Sequence, residues 1–106
     1  MSYLASLMQK KALMNELSEA QWQRGLFGTA LTALQKSCSD LTQAGTDYEA
    51  DSVQAKKLQA RLAKLRVVEQ QLEQQRDYLD LRIKQLTAEI DYHKNVINEG
   101  ATKFFK

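Results

Sequence analysis

Apolar residues in the second half of the chain recur at steps of three, four or seven: Ala55, Leu58, Leu62, Leu65, Leu72, Leu79, Ile83, Leu86, Ile90 and Ile97. That spacing keeps one narrow stripe of an α-helix turned toward a partner, as in a coiled coil. It predicts a helix over about residues 48–99, roughly 75 Å long at a rise of 1.5 Å per residue. Polar residues interrupt the stripe twice, at Glu69 and Arg76.

The first half carries a less regular pattern. Leu4, Leu7, Met8, Met14 and Leu17 precede a cleaner run of Phe27, Leu31, Leu34, Cys38 and Leu41, which predicts a first helix over about residues 2–43. The two runs meet near Gly25 and Gly28, where each glycine costs a helix about 1 kcal/mol relative to alanine. A kink there and an unbroken helix are equally compatible with the pattern. The clearest turn is at about 44–47. Gly45 can end a helix in the left-handed conformation, while Thr46 and Glu49 have the spacing of a capping box that starts the next one. A short connection makes its helices antiparallel neighbours. The expected fold is therefore all-α: one domain over residues 1–106, a long, coiled-coil-like helical hairpin with a short tail at 100–106.

Folding the chain at Gly45 and Thr46 places Glu69 in the neighbourhood of Trp22 and Arg76 in that of Asn15, where both polar seam residues either help to fix register or, if the seam rotates outward, are solvated. It also places Leu4 level with Thr87. The stretch beyond, which includes His93, then overhangs the first helix with Ile90, Tyr92, Val96, Ile97, Phe104 and Phe105, and uncovered apolar surface of this kind finds cover on another chain. These residues, with Leu4 and Leu7 at the opposite end, are the expected self-assembly contacts.

Composition supports helices: there is no proline, four residues are glycine and 26% are charged. The pattern contains no phosphate loop, nucleophile elbow, zinc motif or calcium loop, so no catalytic, metal-binding or cofactor-binding residue is assigned, nor a small-molecule substrate. His93 is the sole histidine, at a seam position that suits a structural or pH-sensitive interface role. Cys38, the sole cysteine, reads as a small buried filler. A formal net charge of +2 disfavours nucleic acid as a partner. The charges are ordered, however. A basic band that includes Lys57 and Arg61 precedes an acidic ridge of Glu69, Glu73, Asp77 and Asp80, an order that would suit copies staggered along the rod by roughly 20 Å. No continuous apolar segment has the length of a signal peptide or membrane span.

The short signal-less chain, the helical hairpin and the amphipathic C-terminal segment ending Val96-Ile97-Asn98-Glu99-Gly100-Ala101-Thr102-Lys103-Phe104-Phe105-Lys106 resemble the subunits of type III secretion needles and inner rods and the terminal helices of flagellar axial proteins. The turn, Ala44-Gly45-Thr46-Asp47, lacks the proline usual in needle subunits. The resemblance implies polymerisation into a helical tube, with the C-terminal helix lining the inside and both termini in subunit contacts. The expected function is thus a structural subunit that self-assembles into a filament or tube. Signal-less export would place it at the surface or outside the cell. The alternative is a cytoplasmic adaptor or chaperone that holds a partner's amphipathic helix.

Overall fold

The computed structural model describes residues 2–104, and of Phe104 only the backbone. Two helices account for nearly all of it: α1, Tyr3–Gly45, and α2, Val53–Phe104. They pair as an antiparallel hairpin, as the seam requires. No strand occurs among the described residues.

Each helix starts on a serine. The Ser2 Oγ accepts the Ala5 amide at 3.2 Å, and the Ser52 Oγ accepts the Ala55 amide at 3.1 Å. Each hydroxyl thereby satisfies one of the amides that a helix start leaves without an internal acceptor. The Thr46–Glu49 box does not start α2. The amides of Thr46, Asp47 and Tyr48 donate to the carbonyls of Gln43, Ala44 and Gly45 at 3.1–3.3 Å, so these residues tighten the end of α1. The Thr46 hydroxyl donates to the Gln43 carbonyl at 2.7 Å and is thereby engaged on α1. Gly45 keeps a negative φ, as do the other described glycines, so α1 ends by this tightening and not by a left-handed cap. The connection accordingly spans 46–52 in place of 44–47.

Helix α1 is unbroken through Gly25 and Gly28. Their carbonyls accept the hydroxyls of Thr29 and Thr32, at 3.1 and 3.0 Å. Helix α2 likewise runs on through Gly100, where a free tail was expected.

The hairpin divides into two compact units. One joins residues 1–24 to 78–106, and the other is Gly25–Asp77. In the first, Ser6, Ala20, Leu79, Leu86 and His93 are buried, flanked by half-buried Leu13, Leu17, Ile83, Ile90 and Ile97. In the second, Leu31, Cys38 and Ala55 are buried among half-buried Phe27, Leu34, Leu41, Leu58, Leu62, Leu65 and Leu72. The seam of α2 thus faces inward throughout, and Cys38 is the expected filler.

Four contacts fix the register of the first unit. Ser6 meets His93, Glu16 meets Arg82, Arg24 meets Asp80, and Tyr3 lies over Gly100 so closely that a Cβ there would come within 2.8 Å of its ring. These pairs are symmetric about the 46–52 connection, not about Gly45. The later start of α2 slides the pairing toward the C-terminus, so the stretch from Ile90 to Gly100, His93 included, lies level with the start of α1 and does not overhang it. Ile90, Val96 and Ile97 are half-buried against the start of α1, Tyr92 is exposed, and the side chain of Phe104 lies outside what is described. Phe105 lies outside the described residues. The same slide removes the expected meetings of Glu69 with Trp22 and Arg76 with Asn15, since Asp80 and Arg82 are the charged residues of α2 that bond to Arg24 and Glu16.

Candidate interaction faces

The first unit has a polar contact at its centre. The Nδ1 of His93 lies 3.2 Å from the Ser6 Oγ, with Ser6 fully buried and His93 only 6% exposed. The ring also meets Tyr92 edge-on at 5.1 Å. This histidine faces α1 of its own chain. The pair satisfies a polar ring inside the seam, which an isolated histidine there would not achieve.

Charged residues frame the seam. The Arg24 Nε donates to the Asp80 carboxylate at 2.9 Å, and the Arg82 Nη2 donates to the Glu16 carboxylate at 2.5 Å. The Glu16 bond, opposed by partial desolvation and assisted by the charge of Glu89, holds the Arg82 guanidinium above its ordinary range and permanently protonated. Both pairs are partly exposed, so they contribute more to register than to stability.

In the other unit, Glu69 is held at its seam position 3.9 Å from Arg66, and Asp77 bonds Arg76 at 3.2 Å. Two members of the acidic ridge are thus engaged locally. Glu73 is half-buried, and Lys57 and Arg61 are exposed. A half-open groove of about 240 Å³ near the connection is lined by Leu41, Thr42, Gly45, Ala55, Leu58, Gln59 and Leu62. It offers no ionisable side chain for acid, base or nucleophilic work. Among the described residues no group of three or more His, Cys, Asp or Glu is placed to hold a metal ion, and no helix is long and apolar enough to cross a membrane.

Large apolar side chains are exposed in both units, with Leu26, Tyr48, Val53, Val67 and Val68 in the second and a greater number in the first. On α1, Leu4, Leu7, Met8, Met14 and Trp22 are all exposed, Trp22 to 61%. Their spacing puts them on one stripe, on the far side of the helix from buried Ser6 and Ala20. On α2, Tyr78, Leu81 and Tyr92 are exposed on a second stripe, away from Leu79, Leu86 and His93. The unit therefore presents an apolar outer face on each of its two helices.

Leu4, Leu7 and Tyr92, expected as self-assembly contacts, are exposed, and sequence reasoning did not single out Met8, Met14, Trp22, Tyr78 and Leu81 beside them. A signal was available. Small residues at Ser6 and Ala20 recur at the helical period, and they mark the side of α1 that a neighbouring backbone approaches.

No protein family model, curated protein or solved structure matches the chain.

Proposed function

We propose that the protein is a structural subunit whose helical hairpins pack side by side into a filament or tube, the kind of assembly implied by its resemblance to secretion-needle subunits. One observation carries this reading: the first unit has apolar outer faces on both helices, pointing away from the seam they share. A single such face would be covered by forming a closed pair. Two faces on opposite sides leave one uncovered after every addition, which is the condition for open-ended growth. The support differs from that available in the sequence alone, because Ile90, Val96 and Ile97, expected to overhang, are half-buried level with the start of α1.

Negative-stain electron microscopy and light scattering across a concentration series test the proposal. Filaments that lengthen with concentration are expected. A concentration-independent monomer would instead favour an adaptor that places a partner's helix against the methionine-bearing face of α1, since methionine adapts to varied apolar surfaces.

A further inference from the structure

The geometry points to a specific joint between copies: the outer face of α1 in one protomer seats on the outer face of α2 in the next, with Lys11 of the first against Glu89 of the second. The inference rests on the self-assembly reading above and names the surface that reading requires.

The first argument is level. Within the unit Ser6 stands opposite His93 and Glu16 opposite Arg82, while the long Arg24 side chain reaches along α2 to Asp80. Leu7 is therefore level with Tyr92, and, at an equal rise along both helices, Trp22 is level with Tyr78. The two outer faces occupy the same stretch of the same unit. A copy moved sideways, with no slide along the helices, brings the aliphatic and methionine side chains of one face onto the aromatic rings of the other. Methionine sulfur against an aromatic ring is a favourable contact.

The second argument is charge. Lys11 lies within the α1 stripe, one turn from Leu7, Met8 and Met14, and it is exposed. It is midway between Ser6 and Glu16, so it is level with the middle of the stretch from Arg82 to His93. Glu89 lies there, exposed and one turn from Tyr92 in the α2 stripe. Neither Lys11 nor Glu89 belongs to an ion pair among the described residues. The charge of Glu89 acts on Arg82 of its own helix, and a sideways copy sets Lys11 beside it as a second cation.

The third argument concerns handedness of the contact. Two copies meeting α1 to α1 would set Lys11 and its apolar neighbours against an identical basic face. Two meeting α2 to α2 would oppose Glu89 with its like. Only the α1-to-α2 joint is complementary in both charge and side-chain type, and it repeats the antiparallel pairing that the hairpin itself uses.

The test is a pair of disabled chains. Met8→Glu with Trp22→Glu spoils the α1 face, and Leu81→Glu with Tyr92→Glu spoils the α2 face. All four positions are exposed, and circular dichroism checks that each chain stays helical. Each variant alone should be monomeric by sedimentation. An equimolar mixture should give a discrete heterodimer, because one chain keeps a sound α2 face and the other a sound α1 face. If the wild type assembles but either variant alone still dimerises, the joint is isologous and this inference is overturned while the assembly reading stands. A wild type that stays monomeric at every concentration removes both.

A milder pair guards against misfolding. Lys11→Glu and Glu89→Lys should each raise the critical concentration severalfold, and the double swap in one chain should bring it back. Unchanged assembly in both single variants would overturn the proposed register.

Discussion

At the scale of single residues, the buried pair of Ser6 and His93 is the most exacting feature of the first unit. Removing the Ser6 hydroxyl leaves a ring nitrogen in the seam with neither water nor protein to bond. Such an orphaned polar group costs about 1–3 kcal/mol, whereas replacing both partners by apolar groups can be nearly neutral. Ser6→Ala should therefore lower stability by that order in urea unfolding, and adding His93→Leu should recover much of the loss. If the two effects simply add, the pair carries no coupling. Leu86, at 0% exposed, is the comparison. Leu86→Ala should cost about 2–5 kcal/mol through lost burial and the cavity left behind. Neither Leu4→Ala nor Met8→Ala should approach that figure in a monomer, since both side chains are exposed. The α2 seam was readable from spacing because every third or fourth position is large and apolar. The seam of α1 was not, because part of it is held by Ser6 and Ala20, and larger residues such as Leu4 and Met8 face outward. A helix with two apolar stripes does not state in its sequence which stripe its own chain will cover.

At the scale of elements, the glycines separate propensity from packing. A Cβ at Gly25 would meet nothing within 4 Å, so Gly25→Ala should stabilise α1 by the helix preference alone, about 1 kcal/mol. At Gly100 the same gain in α2 is opposed by Tyr3, whose Cβ would lie 3.2 Å and whose ring 2.8 Å from the new atom. Gly100→Ala should thus fall short of Gly25→Ala in thermal unfolding, and Tyr3→Ala should restore the gain. Equal stabilisation at both sites would mean that Tyr3 does not rest on Gly100. The helix ends show why the register was misplaced. Thr46 and Glu49 carry the stronger capping signature, yet Ser52 alone does the capping of α2. The difference lies in the carbonyls of Gln43, Ala44 and Gly45, which draw the amides of 46–48 into the end of α1. That competition depends on where one helix stops, which local spacing does not encode, and a few residues of delay in the connection brought the stretch from Ile90 to Gly100 level with α1.

At the scale of the whole molecule, the character of the proposed assembly can be read from its response to salt. Two joints are in competition. The staggered joint suggested by charge order would set Lys57 and Arg61 against Glu73 and Asp77 of a neighbour, and exposed charges of that kind are screened within about 8–10 Å at moderate ionic strength. It would weaken steeply as salt rises. The side-by-side joint is mostly apolar, with one charge pair between Lys11 and Glu89, and apolar burial does not weaken with added sodium chloride. The in-chain bonds favour the second. Asp77 already holds Arg76 and Glu69 already sits near Arg66, so half of the acidic ridge is occupied within its own helix. The critical concentration measured by light scattering should therefore change by less than about threefold between low and high salt, the size of effect that one exposed pair allows. Dissolution of the assembly by salt alone would transfer the joint to the charged bands and leave the apolar outer faces without a role in it.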